Sequence, residues 1–148
     1  MAENKIKIKH SILIAKPKEL VWDYTQNYSN RTNWDSSVIE TTVLQTKPNR
    51  IVKMKMKGNT TMTYVYKLDD RPNKTTLVAT EITSPIIESM GGAWMYEEQH
   101  GMTIWTQSGS IVFKNNFTSK LLLPFYKLIF NMLTRKAMRK AKQAIEKL

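Results

Sequence analysis

Hydrophobic and polar positions alternate along most of this chain, and the period changes once, near its end. Residues Lys5 to Ile14 read KIKIKHSILI, with Ile6, Ile8, His10, Ile12 and Ile14 on one face and Lys7, Lys9 and Ser11 on the other. A period of two predicts a strand with one buried side. Pro17 then suits the first turn of a helix, where its missing N–H is harmless. The run KELVWDYTQN places Leu20, Val21 and Tyr24 at helical spacing, with Trp22 beside them. A second short helical turn near Asn30–Asn33 leads to Trp34. Strand signals follow in series over Val38–Gln45, Ile51–Lys57, Met62–Leu68, Thr75–Thr83, Ala93–Gln99 and Met102–Lys114. Gly58-Asn59 and His100-Gly101 predict tight turns, and the stretch 84–92, with Pro85 and a glycine pair, reads as a loop. From Ser119 to Leu148 the period becomes helical. Leu122, Tyr126, Ile129 and Leu133 form a stripe, widened by Leu121, Phe125, Leu128 and Met132. Pro124 marks a kink or the true helix start.

This order predicts an α+β fold in one domain, residues 1–148. A seven-stranded curved antiparallel sheet wraps a long C-terminal helix, and two short helices lie between the first and second strands. A helix laid across the concave side of such a sheet leaves room for a cavity.

Alternation also nominates the cavity lining. Lys53, Lys55 and Lys57 on one face send Met54 and Met56 to the other. Thr61, Thr63 and Lys67 do the same for Met62, Tyr64 and Tyr66. Lys7 and Lys9 send His10 inward, Glu81 shares a face with Leu77 and Ala79, and the helix contributes Phe125 and Ile129. Methionines adapt to irregular shapes and tyrosines add polar handles. In the last strand, alternation alone does not choose between Thr103, Trp105 and Gln107 and the set Ile104, Thr106 and Ser108.

Catalytic chemistry is sparse. An inward His10 is either a general base or a structural histidine bonded to a polar neighbour. Glu97 and Glu98 are adjacent, so only one of them faces inward. Two histidines, no cysteine and no His/carboxylate spacing argue against a metal site. No phosphate-binding glycine loop or nucleophile elbow occurs, so no cofactor is expected and no catalytic residue is assigned.

The formal net charge is +11, and residues 119–148 hold eight Lys and Arg against Glu146 alone. Such a surface either meets an anionic partner, nucleic acid or a membrane surface, or is a solvated helix end whose cations suit the C-terminal dipole. The cations after Leu133 have no interleaved aromatics, which argues against RNA. LLLPFYKLIFNML is far shorter than the roughly 20 residues a membrane span needs. The charged start is followed by alternation and not by an apolar signal core, so export is not expected. Five N-x-[ST] triplets, at Asn27, Asn30, Asn59, Asn73 and Asn116, are then read as chance. The lack of cysteine fits a reducing compartment, and a cytoplasmic location is expected.

The stretch AKPKELVWDYTQNYSNRTNWDSSV, Ala15 to Val38, is aromatic where a connector would be polar. With the element order, it resembles the START/Bet v 1-like superfamily, also called SRPBCC or helix-grip, in its polyketide cyclase/dehydrase and lipid-transport subgroup. Ala15, Pro17, Val21, Trp22, Trp34 and Asp35 carry the likeness. Lys16 separates Ala15 from Pro17, and Asn27 stands where the subgroup has Asp or Glu. The resemblance implies a helix-grip fold and a hydrophobic or amphipathic small-molecule ligand: a lipid, polyketide or quinone-like molecule. It also implies two alternatives, a cyclase or dehydratase acting on a hydrophobic substrate and an interaction protein using the basic helix. Trp34 and Tyr24 are expected to be structural, covering one end of the sheet.

Overall fold

The computed structural model describes residues 4–148; the first three residues of the charged start lie outside it. Seven strands form one antiparallel sheet: β1 (Lys5–Ile14), β2 (Val38–Gln45), β3 (Ile51–Met56), β4 (Thr60–Asp70), β5 (Lys74–Thr83), β6 (Ile87–Gln99) and β7 (Met102–Phe113). Their order is β1-β7-β6-β5-β4-β3-β2, so the chain starts at one edge, crosses to the other and meanders back. The crossing is made by α1 (Lys18–Gln26), a 3₁₀ turn (Tyr28–Asn30) and α2 (Arg31–Trp34). The long α3 (Phe117–Glu146) follows β7, starting two residues before the expected Ser119.

The alternation explains the faces. Lys5, Lys7 and Lys9 are exposed while Ile6 and Ile14 are buried, and Lys53 and Lys55 are exposed while Val52 and Met54 are buried. Gly58 and Asn59 both have positive φ, as do His100 and Gly101, which is the primed-turn geometry that two-residue hairpins favour. On β7 the odd set faces inward, with Thr103, Trp105, Ile111 and Phe113 all buried.

One expected loop is part of a strand. Gly91 and Gly92 lie inside β6, and Gly92 stands opposite Gly109 of β7. A Cβ on Gly92 would lie 2.6 Å from the Ser108 carbonyl oxygen. The glycine pair thus permits close backbone approach and does not break the strand. Pairing between β5 and β6 runs only as far as Val78↔Gly91. Beyond that point the sheet is open towards the loop at 84–86.

Two hydrophobic clusters hold the layers together. One gathers Ile6, Tyr28, Val52, Met54, Met62, Tyr66 and Phe113 with the N-terminal half of α3 through Leu123, Tyr126 and Phe130. The other gathers Trp22, Trp34, Tyr96 and Trp105 with Ala137, Met138, Ala141 and Ile145. Side chains at both ends of the crossover thus grip α3.

Candidate ligand cavity

A cavity of about 460 Å³ lies between the sheet, α2 and α3, within the size range of small-molecule sites. Its apolar wall comes from Ile8, Met56, Met62, Met90, Ile111, Phe130 and Leu133. Trp34 closes one side, and a smaller recess of about 100 Å³, bordered by Trp94 and the glycines of β6 and β7, adjoins it. Arg31, Tyr64, Gln107 and Thr134 line both spaces, so the polar groups sit at their junction. Lys57, Gly58 and Pro85 are the exposed members of the lining. They place the mouth between the β3–β4 turn and the β5–β6 loop.

Arg31 is the dominant charge. Its Nε donates to Asp35 Oδ2 at 3.1 Å, one helical turn away. The guanidinium stacks 4.7 Å from the Trp34 ring centre, 5.0 Å from Trp94 and 5.6 Å from Tyr28. Burial works against its charge, but the Asp35 carboxylate beside it opposes burial and Arg31 stays protonated. Among the described residues its terminal nitrogens have no hydrogen-bond partner, leaving a rigid fork of donors beside the cavity. The oxygens of Asp35 are already engaged, by Arg31 and by the backbone N–H and hydroxyl of Ser37.

Tyr64 is buried, and among the described residues its hydroxyl reaches only the Met90 sulfur, at 3.8 Å. That is a weak partner, so the O–H is available to a ligand. Burial pushes its pKa well above the ordinary phenol value, partly opposed by Arg31, so it stays a neutral donor.

The other residues nominated by alternation are distributed differently. Met56, Met62 and Tyr64 line the cavity; Met54 and Tyr66 do not. Met54 is fully buried core. The Tyr66 hydroxyl is bonded to that of Tyr28, and Arg50 stacks 3.8 Å over its ring. His10 faces α3 but is held there, its Nε2 2.7 Å from Asn131 Oδ1 and its Nδ1 accepting from Arg135 Nε at 3.5 Å. On β1 it is Ile8, not His10, that reaches the cavity.

Beyond Met54, Tyr66 and His10, three further placements correct the sequence reading. Glu81 is exposed, because φ is +47° there and the register slips from Thr61↔Thr83 to Thr63↔Thr80. That bulge turns the side chain away from the face it would share with Leu77 and Ala79. Phe125 is 56% exposed on the outer side of α3. The first half of α3 is apolar nearly all round, so two stripes compete. The one that packs runs through Leu123, Tyr126 and Phe130. Ile129, between those stripes, is half-buried and reaches neither cluster nor cavity. Gln107 belongs to the odd set of β7, one of the two that alternation left open, while Arg31 and Trp94 have no place in the sequence reading. An Arg three residues before Trp34 and four before Asp35 was a readable signal, since those positions share a helix face.

Among the described residues, no three His, Cys, Asp or Glu side chains converge on a potential metal position. No helix there is long and apolar enough to cross a membrane.

Comparison with known proteins agrees with this architecture. Residues 5–146 match the model of a family described as polyketide cyclase / dehydrase and lipid transport. The Zhui aromatase/cyclase from Streptomyces sp. R1128 superposes with a TM-score of 0.83 at 14% identity, over 96% of this chain and 94% of that one. A START superfamily protein from Mycobacterium smegmatis gives 0.78 at 7% identity, over 95% and 97%. The di-domain ARO/CYC BexL of the BE-7585A biosynthetic pathway gives 0.78 at 16% identity; 98% of this chain aligns with 51% of it. No curated protein sequence matches the chain.

Proposed function

The chain belongs to the polyketide cyclase/dehydrase and lipid-transport family, and from that premise we propose that it binds one hydrophobic or amphipathic small molecule between sheet and α3. The observation that carries this is the Arg31 fork, buried, charged and without a partner at its terminal nitrogens, at the junction of two apolar spaces. A ligand with an apolar body and a single carboxylate, enolate or polarised carbonyl fits that pattern. Its oxygen accepts from Arg31, the Tyr64 O–H adds a second donor, and its body lies against Met56, Met62 and Met90. Hydrogen bonds to charged groups are the stronger class, so the head group sets orientation.

Turnover of the cyclase or dehydratase kind has less support. Donors for a developing oxyanion are present, but proton abstraction needs a free base near the reacting carbon. Among the described residues Asp35 is the one carboxylate in the lining, and it is committed to Arg31 and Ser37. His10 is occupied outside the cavity. The exposed cations of α3 form a second part of the proposal, contact with an anionic partner.

The test is titration with two fluorescent probes, anionic anilinonaphthalene sulfonate and neutral N-phenylnaphthylamine, read by energy transfer from Trp34 and Trp94. Both are expected to bind. Arg31→Met is expected to weaken the anionic probe roughly tenfold or more, the value of one charged hydrogen bond, while sparing the neutral one. Met62→Trp, which fills the cavity, is expected to exclude both. Failure of both probes to bind the parent, or indifference to Met62→Trp, would overturn the reading.

A further inference from the structure

The outer face of α3 carries a feature that neither the cavity nor the core uses. Phe117, Leu121, Phe125, Leu128 and Met132 follow at spacings of four, four, three and four, and all are exposed. Phe117 is 78% exposed and Leu128 67%. Such spacing makes one continuous apolar strip along the first half of the helix. The same face then changes character. Arg135, Lys136 and Arg139, three, four and seven residues beyond Met132, continue it as an exposed cationic strip.

We propose that this face docks the protein on an anionic membrane surface, the apolar strip entering the headgroup boundary and the cationic strip lying on the phosphates. The proposal names the partner of the α3 cations, and it rests on the reading that they meet an anionic partner. Charge selects the occupant. Lys120 and Lys127 flank the strip, and α3 has no carboxylate before Glu146. A second copy docking by the same face would set cations against cations. An anionic bilayer instead matches both halves of the face, since apolar insertion and basic attraction act together.

The cavity mouth lies at the same end as the apolar strip. Lys114 N–H donates to the Ile86 carbonyl at 2.8 Å, Thr60 Oγ1 donates to Ser84 Oγ at 3.3 Å, and the Lys57 N–H donates to the Ser37 carbonyl at 3.0 Å. These bonds tie the start of α3 to the loops around the opening. A bilayer seated on Phe117 and Leu121 therefore adjoins the opening, and Lys57 adds a cation at its rim.

The test is flotation of the full chain with vesicles of phosphatidylcholine alone and of phosphatidylcholine mixed with phosphatidylglycerol. Binding is expected only to the anionic vesicles, and to fall with added salt. Leu121→Gln with Phe125→Ser, and separately Lys136→Glu with Arg139→Glu, are each expected to lower partitioning roughly tenfold or more. All four positions are exposed, so circular dichroism should show the fold unchanged. Equal binding to both vesicle types, no binding, or binding indifferent to both double variants would overturn the proposal. So would a dimer in sedimentation that Leu121→Gln with Phe125→Ser abolishes, since the strip would then be a self-association surface. Because Met62→Trp leaves the outer face intact, it is expected to float like the parent. Probe binding and flotation can thus fail separately.

Discussion

Replacing Trp34 by alanine tests the centre of the structure. The ring is wholly buried, 5.6 Å from Trp105 and 5.9 Å from Trp94, and carries the Arg31 guanidinium on its face. Truncating a buried Phe or Trp to Ala costs about 3–5 kcal/mol. Aromatic pairs contribute about 0.5–1.5 kcal/mol each beyond area, and a desolvated cation over an indole about 2 kcal/mol. These are not independent of the truncation value, and one side of the ring borders a space already empty, which lowers the cavity penalty. The expected loss is therefore about 4 kcal/mol. With a urea m-value of about 2 kcal/mol/M for a small domain, the unfolding midpoint should fall by about 2 M, followed by far-ultraviolet circular dichroism. Trp34→Phe keeps part of the stacking and should lose about half as much. A loss below about 1 kcal/mol for Trp34→Ala would refute the reasoning, since only an exposed or loosely packed ring is so cheaply removed.

Further outcomes are expected. Gly92→Ala forces a Cβ to within 2.6 Å of the Ser108 carbonyl oxygen, and overpacking against backbone should cost about 1–3 kcal/mol in denaturant unfolding. Glu81→Gly relieves a side chain held at φ +47° and should leave the thermal midpoint unchanged or higher, unlike most strand glycines. Burial raises the pKa of Tyr64, Tyr66 and Tyr96. Their contribution is intact below the ordinary phenol pKa of about 10 and is lost as pH rises above it. Alkaline titration should show these phenolates appearing with unfolding and not before, and Tyr64→Phe should move that unfolding to higher pH. Asp23 is held below the usual carboxylate range by Arg71. The small stability it adds is present at neutral pH and fades in acid, so Asp23→Asn should flatten the acid side of a thermal-stability profile.

What was legible in the sequence depended on how much each residue's neighbours constrained it. The lysines of β1 and β3 mark one face as wet, so Ile6, Val52 and Met54 could only turn inward. The Pro17 boundary and the aromatic crossover were equally plain, because few local structures accommodate them. Glu81 was misplaced because a bulge breaks the period of two, and nothing in VATEIT announces it. Phe125 was misplaced because α3 presents two apolar stripes and only the sheet decides which one packs. His10 was aimed correctly, but Asn131, on a helix 121 positions away, claims its ring. Arg31 escaped notice for a different reason. A buried cation is costly unless paired and stacked, and the Asp35, Trp34 and Trp94 that make it tolerable come from two separate segments.

The pairing of the first strand with the last has a kinetic meaning. Lys5 faces Val112 and Ile14 faces Thr103, so the register of β1 is set by residues about a hundred positions away. Contacts of that separation are slow to form, because a long loop must close before any of them is rewarded. During synthesis β2 through β6 can pair with their neighbours as they emerge, whereas β1 has no partner until β7 is made. An unpaired strand of alternating isoleucines is a template for association with other chains. Lys5, Lys7 and Lys9 on its other face keep that waiting strand charged. Only after β7 closes the sheet can α3 settle on the finished surface, so the cavity beneath it is the last part of the molecule to form. Variants that delay β7 should yield less folded protein in the cell, even where the finished fold is as stable as the parent.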